Sequence, residues 1–217
     1  MTVDNYCTHT YLEDPLAVLG CGQCSAEAQI GSDETRRKFE QARAAAAWRR
    51  DVPLRYVDVT IKKITDPDLL DWLATLPPSL HDLRSLLIAG PTGTGKTYAG
   101  WAVLRQLDLR AWKAVTYVDF CAQLRPSGKD PEATFERYAR APLLFLDDLG
   151  AAKGSEWVEE TTYRLINRRY EAKLPGIFTT NVPLAQLREV LGERVSSRLV
   201  EMCRQVVLGG PDRRRAA

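Results

Sequence analysis

No stretch of this sequence is apolar for long enough to span a bilayer, and no signal-peptide pattern opens it. Neither feature fits a membrane or secreted protein, so a cytoplasmic one is expected. Net charge is scarce as well. Thirty Lys and Arg against 28 Asp and Glu leave only +2, so bulk electrostatics does not call for nucleic acid, and DNA binding would need a local patch. The cysteines number five, an odd count. That excludes a fully paired disulfide scaffold and fits a reducing compartment. What remains is ordinary globular material: 217 residues, 45% of them apolar, enough for a core in one domain with at most a small appendage.

Against that background one stretch stands out. Leu86-Leu87-Ile88-Ala89 runs into Gly90-Pro91-Thr92-Gly93-Thr94-Gly95-Lys96-Thr97, and a helical pattern follows. A short apolar run, a glycine-rich turn and a helix make the strand–loop–helix of a phosphate-binding P-loop. The glycines let the backbone curl so that several N–H groups point inward at the phosphates. Lys96 can reach the β- and γ-phosphates, and the Thr97 hydroxyl can ligate Mg²⁺. The helix brings the positive end of its dipole to the same spot. Residues 90–97 and the adjoining Tyr98 are the expected nucleotide-binding set.

The apolar run 143–146 ends in Asp147-Asp148. Read as a buried parallel strand, it offers both carboxylates at its C-terminal end, where an open α/β sheet presents ligands. Asp147 is placed to hold the water shell of Mg²⁺ near Thr97, and Asp148 to orient or deprotonate an attacking water. A further strand over 177–180 ends in Asn181, whose amide can touch both γ-phosphate and water. Alone, such an asparagine is as well explained by a turn. The last helix, 192–203, should pack through Val195, Leu199 and Met202, with Arg194 and Arg198 one turn apart on a neighbouring face. Two arginines held on a packed helix suit a phosphate in an adjacent subunit; a solvated basic face is the plainer alternative. Arg213-Arg214-Arg215 ends the chain, either frayed or against nucleic acid.

Other segments carry less chemistry. Cys7, His9, Cys21 and Cys24 offer a Cys₃His set for structural Zn²⁺, because C-x-x-C with an internal glycine turns two thiolates onto one ion. Free thiols and a redox pair are the alternatives, the second lacking a surrounding strand–helix unit. Residues 32–50 read as one helix, capped by Ser32 or Asp33 and basic through Arg43, Arg49 and Arg50. Pro53 ends it and opens an extended lead-in over 54–60. Asp66-Pro67 and Asp130-Pro131 each begin a helix with a cap and a proline at the first position. Leu69, Leu73 and Leu76 line the buried side of the first. Strands are expected at 115–118 and 206–208, and a helix at 156–172 with Val158, Thr162, Leu165 and Ile166 inward.

Five short strands, each leading to a loop with phosphate chemistry, resemble the AAA+ core. Leu-Phe-Leu-Asp-Asp-Leu-Gly (144–150), Ile-Asn-Arg-Arg-Tyr (166–170), Phe-Thr-Thr-Asn (178–181) and Gly-Glu-Arg-Val-Ser-Ser-Arg-Leu (192–199) are similar to helicase loaders of the bacterial and phage DnaC/DnaI type. The insertion-sequence transposition helper IstB is the close relative. Gly210-Pro211-Asp212-Arg213 looks like the closing motif of that family. The resemblance spans about residues 53–213. It implies an α/β P-loop NTPase, a five-stranded parallel sheet between helices, without a C-terminal lid domain and with a small N-terminal Cys/His segment. It implies residues 1–31 as a zinc knuckle that docks a partner, 32–52 as a connecting helix and 53–217 as the ATPase domain. Carried over, residues 90–97 are Walker A, Asp147 and Asp148 Walker B, Asn181 sensor 1, and Arg198 the arginine finger with Arg194 beside it. Many AAA+ proteins have Glu where Asp148 stands, a methylene longer.

The function so implied is an ATPase switch, using ATP/ADP and Mg²⁺ with Zn²⁺ in the N-terminal segment. It would deliver a replicative hexameric helicase to single-stranded DNA and self-associate head to tail, in the cytoplasm of a bacterium or a phage host. A transposition helper that binds DNA as an ATP-dependent oligomer is the alternative. A small-molecule P-loop kinase would need acceptor-binding arginines and a lid, and the Asn181 and Arg198 pattern speaks against it. A non-catalytic ATP-binding adaptor is kept open by Asp148.

Overall fold

A computed structural model of the chain describes residues 22–107, 111–126, 130–152 and 154–213. Two compact units are present, Met1–Val57 and Asp58–Ala217. In the first, helix α1 (Gly22–Asp51) is followed by a single 3₁₀ turn, Leu54–Tyr56. The helix begins well before the expected residue 32, so Ser32 and Asp33 lie inside it rather than at its start. The reason is local: Gln23, Ala26, Glu27, Ala28 and Gln29 are good helix formers and carry the helix back through Gly31. The expected extended lead-in is also replaced. Its first half is the 3₁₀ turn, closed by the Tyr56 N–H donating to the Pro53 carbonyl at 2.7 Å. A second turn, Ile61–Lys63, follows it, capped by the Thr60 hydroxyl.

The second unit is built on β1 (Ser85–Ala89), β2 (Lys113–Thr116), β3 (Leu144–Asp147), β4 (Gly176–Thr180) and β5 (Cys203–Val207). All pairs are parallel, in the order β2-β3-β4-β1-β5. The helices are α2 (Pro67–Ala74), α3 (Lys96–Gln106), α4 (Tyr117–Gln123), α5 (Pro131–Ala139), α6 (Glu156–Glu171), α7 (Leu187–Leu191) and α8 (Glu193–Met202). Every residue of β1 and β4 is buried, as expected for central parallel strands covered on both faces. Alternation along β3 divides the core. Phe145 meets Trp101 of α3 edge-on, with ring centroids 5.0 Å apart. Leu144 and Leu146 join the opposite cluster, which draws Phe120, Leu165, Ile166, Val195 and Leu199 from α4, α6 and α8.

Both Asp-Pro helix starts are present, with Asp66 accepting from the Leu69 N–H and Asp130 from the Ala133 N–H, each at 3.0 Å. Several boundaries differ from expectation, among them β5, which runs from Cys203 to Val207 where 206–208 was expected. The strand expected at 115–118 ends at Thr116, whose side chain caps the unexpected α4. The helix expected from 192 to 203 is shorter at both ends: Gly192 is its cap, and Cys203 already belongs to β5. In α2, Trp72 is buried beside Leu69, whereas Leu73, and Leu76 just beyond the helix end, are only partly so.

Arg169 continues the buried stripe of α6 one turn beyond Leu165 and Ile166 and is fully buried. It has no carboxylate partner among the described residues. Its guanidinium donates to the carbonyls of Tyr138 (3.0 Å), Ala139 (3.2 Å), Ala141 (2.9 Å) and Pro175 (2.5 Å). It thereby satisfies the open carbonyls at the C-terminus of α5 and fixes the start of β4. Burial pushes its pKa down to about 9, still above neutrality, so the cation persists. Arg169→Met should strand these carbonyls and lower stability by about 3 kcal/mol. Urea unfolding should show a lower midpoint at an unchanged slope.

Candidate nucleotide site

The sheet register assembles the site. Ala89 pairs with Thr180 and Leu146 with Phe178. The chain therefore leaves β1 for the glycine loop, β3 for Asp148 and β4 for Asn181 at one edge of the sheet. This is the carboxyl edge, where open α/β sheets bind ligands. In the loop, Gly90, Gly93 and Gly95 have φ of 152°, 86° and 95°, values that L side chains rarely adopt. Lys96 opens α3 and is buried. Its Nζ donates to the Pro91 carbonyl at 2.8 Å and to Asn181 Oδ1 at 2.7 Å. Asn181 Nδ2 in turn donates to Asp148 Oδ1. Lysine, amide and carboxylate thus form one hydrogen-bonded chain across three strand ends.

Beside it lies an oxygen-rich corner. The Thr97 hydroxyl donates to Asp147, with Oδ1 at 3.0 Å and Oδ2 at 3.1 Å. A hydroxyl and a carboxylate at one point are donors that suit a hard cation such as Mg²⁺. Thr179, fully buried on β4, completes the corner. Its hydroxyl donates to Asp147 Oδ1 at 2.6 Å and accepts the Asp148 N–H at 2.8 Å. Asp148 has φ 61°, a left-handed conformation that Asp tolerates better than longer acids and that costs free energy unless held. The bonds from Thr179 and Asn181 hold it. Thr180 Oγ1 adds a bond to the Leu149 carbonyl at 2.7 Å. Burial raises the Asp147 pKa above its ordinary value; the Thr179 and Thr97 hydroxyls oppose this, Asp148 adds to it, and Lys96 opposes it.

The structure thus brings together Lys96, Thr97, Asp147, Asp148 and Asn181. The Tyr98 hydroxyl points to another segment. It accepts the Thr60 N–H at 3.0 Å and donates to the Thr60 carbonyl at 3.2 Å, pinning the segment before α2 to α3. Arg194 and Arg198 stand apart from the loop. Their guanidinium carbons lie 5.7 and 5.2 Å from the Tyr163 ring centre, and Arg198 also reaches Tyr170. Arg198 Nε donates to Asn167 Oδ1 at 2.8 Å. Among the described residues neither arginine bonds to the loop, Asp147, Asp148 or Asn181. Thr179 was not among the expected site residues. Its signal was two hydroxyls ending an otherwise apolar buried strand.

Cys7, His9 and Cys21 lie outside the described residues, and of the set only the backbone of Cys24 is described, in the first turn of α1. Among the described residues no group of three or more His, Cys, Asp or Glu is placed to hold a metal. Cys121 and Cys203 are buried free thiols; burial pushes both up, Cys121 to about 11. Among the described residues no helix is long and apolar enough to cross a membrane.

A family model described as IstB-like ATP binding protein matches residues 28–216. The chain belongs to this family. Its curated relatives include the replicative helicase loader DnaC of Escherichia coli (strain K12), 27% identical over 124 residues, which are 54% of this chain and 51% of that protein. They also include the chromosomal replication initiator protein DnaA of Gloeobacter violaceus, 32% identical over 119 residues, 52% of this chain and 27% of that one. The IstB-like chain therefore spans about half the length of DnaC or less of these relatives. Among solved structures, the DnaC helicase loader superposes with a TM-score of 0.59 at 24% identity, covering 72% of this chain and all of that one. DnaI gives 0.62 at 22% identity, covering 75% and 94%. AMPPCP-bound DnaA from Aquifex aeolicus gives 0.57 at 20% identity, covering 72% and 52%. These likenesses establish the fold, an AAA+ P-loop core with its five-stranded parallel sheet.

The raised Asp147 pKa has a testable sign. Above it the folded state bears a buried charge that the unfolded state solvates, so stability falls as pH rises through the window between the two values. Asp147→Asn keeps an acceptor for Thr97 and Thr179 but removes the charge. Without nucleotide it should melt higher than the parent at pH 7. The gain should disappear as pH falls toward the ordinary Asp value of about 3.9. Mg²⁺-dependent stabilisation by ATP should be lost at every pH.

Proposed function

We propose that the chain is an ATP-hydrolysing switch that binds a replicative hexameric helicase and delivers it to single-stranded DNA. The observation that carries the ATPase part is the hydrogen-bonded chain Lys96–Asn181–Asp148 beside the Thr97–Asp147–Thr179 corner. Mg²⁺, when bound at Thr97 and Asp147, would neutralise phosphate charge. Lys96 would exchange its bond to Asn181 for phosphate oxygens. Asn181 Nδ2 would keep one N–H on Asp148 and offer its second N–H to a phosphate oxygen. Asp148 would then accept a proton from the water aligned for attack. The helicase and DNA parts rest on the likeness to DnaC, which covers about half of that protein.

Arg198 is the proposed arginine finger, acting on nucleotide held by a neighbouring chain, with Arg194 in support. Its bond to Asn167 and its place over Tyr163 and Tyr170 hold the guanidinium against α6 in the free chain, from which it would have to turn to reach a neighbouring chain's nucleotide. Head-to-tail packing would bring such a helix to the next P-loop. Zn²⁺ on Cys7, His9, Cys21 and Cys24 is proposed for the partner-docking segment, and about one zinc per chain should be found on metal analysis.

The second reading, a transposition helper that assembles on DNA with ATP, is favoured by the family match over residues 28–216. Co-purification with a hexameric helicase supports the first, and with a transposase the second.

Two kinetic outcomes follow. Lys96→Ala should weaken ATP binding by about 100-fold by calorimetry, with the far-ultraviolet spectrum unchanged. Arg198→Ala should leave affinity nearly intact and reduce turnover on the order of 10³-fold. Mixing the two variants should restore part of the activity, because some junctions then combine a sound P-loop with a sound finger. A mixture as inactive as its components, each being folded, would return Arg198 to the status of a surface arginine.

A further inference from the structure

Helices α6 and α8 meet around one cation. The Arg198 guanidinium of α8 lies beside two tyrosines of α6, its carbon 5.2 Å from the Tyr163 ring centre and 5.5 Å from that of Tyr170. Its Nε donates to Asn167 Oδ1 at 2.8 Å and its Nη1 to the Arg194 carbonyl at 3.1 Å. Each contacting group is uncharged: an amide oxygen, a backbone carbonyl and two ring faces. Two carboxylates stand close by in the chain, and both are engaged elsewhere. Glu171 accepts from Asn167 Nδ2 at 2.9 Å, which fixes the amide with its oxygen toward Arg198. Glu201 accepts from the Tyr170 hydroxyl at 2.6 Å, which fixes the second ring. Among the described residues Arg198 has no carboxylate partner, and its Nη2 has no hydrogen bond.

We propose that Asn167, with Tyr163 and Tyr170, is a latch that folds the Arg198 finger onto its own chain until the polyphosphate of an assembled neighbour draws it out. This rests on the finger assignment given above. An amide oxygen and a carbonyl each hold the guanidinium at a single point. A triphosphate takes two of its N–H groups at once and carries the opposite charge, which makes the stronger bond. The latch therefore orders the side chain in the free chain and yields to nucleotide on a neighbour. The free energy of opening it is part of what makes turnover depend on assembly. A carboxylate on the guanidinium would neutralise the finger where it lies, and Asn167 and Tyr170 keep both nearby acids occupied. Asn167 is thus a positioning residue, acting on the reaction through Arg198.

The test measures ATP turnover by the full chain across protein concentration, and ATP affinity by calorimetry. The proteins are the parent, Asn167→Ala, Asn167→Asp, Arg198→Ala and each Asn167 variant combined with Arg198→Ala. Below the concentration at which turnover per chain saturates, Asn167→Ala should be about 5-fold faster than the parent, the worth of one hydrogen bond removed from the resting state. Asn167→Asp sets a carboxylate against the guanidinium and should be slower by at least as much. Opposite signs at one position cannot come from loss of fold. ATP affinity should match the parent in both, and neither substitution should alter turnover in the Arg198→Ala background. Asn167→Ala no faster than the parent, with Arg198→Ala nearly inactive, overturns the latch and leaves the finger standing. An effect of either Asn167 substitution that persists without Arg198 also overturns it, since that marks a disturbance of α6. An Arg198→Ala chain that turns over like the parent overturns both.

Discussion

The hydroxyl of Thr179 is the contact on which the arrangement at the carboxyl edge of the sheet depends. It lies on a fully buried strand, where an unpaired hydroxyl would cost on the order of 1–3 kcal/mol. It has two uses there, donating to the Asp147 carboxylate and accepting the Asp148 N–H. The first sets the orientation of the proposed Mg²⁺ ligand. The second holds the backbone of the proposed general base at a positive φ that isolated chains avoid. Both follow from the pairing of Leu146 with Phe178, which puts the next residues of β3 and β4 side by side. A slip of one residue would separate them and turn the buried faces outward.

The corner is electrostatically expensive as it stands. A half-buried carboxylate at Asp147, with Asp148 adjoining, is only partly offset by two hydroxyls and by Lys96. Such a site stores free energy that a bound divalent cation and a polyphosphate can release. The same economy applies to the glycine loop. Three glycines lower its intrinsic order, and the segment after β5 restores order from outside, through the bonds at Ala89 and Gly93. Loop conformation and the segment after β5 are therefore coupled.

Remote from this edge, Arg169 solves a different problem. At the end of helix α5 the carbonyls of Tyr138, Ala139 and Ala141 all accept from the buried Arg169 guanidinium. A guanidinium with several donors in one plane can satisfy four carbonyls at once, which no apolar side chain could. This bolt also fixes Pro175, and so the start of β4. The position of Thr179 and Asn181 at the far end of that strand rests on it.

Local physics was legible in the sequence wherever a residue acts through its neighbours in the chain. The glycine pattern and Lys96 implied the loop, Asp66-Pro67 and Asp130-Pro131 implied helix starts, and apolar runs ending in Asp147 and Asn181 implied strands delivering polar groups. Where propensity met competition the sequence misled: helix formers before residue 32 extended α1, and Thr116 turned a strand into α4. Other features are fixed by contacts between segments far apart in sequence. That Thr179 serves both aspartates, that Arg169 is core, that Tyr98 holds Thr60 and that Arg213 returns to Gly93 depend on register and on crossings of β4, α6 and the segment after β5. No local pattern encodes these, because the partners meet only after the parallel sheet has brought distant strands together.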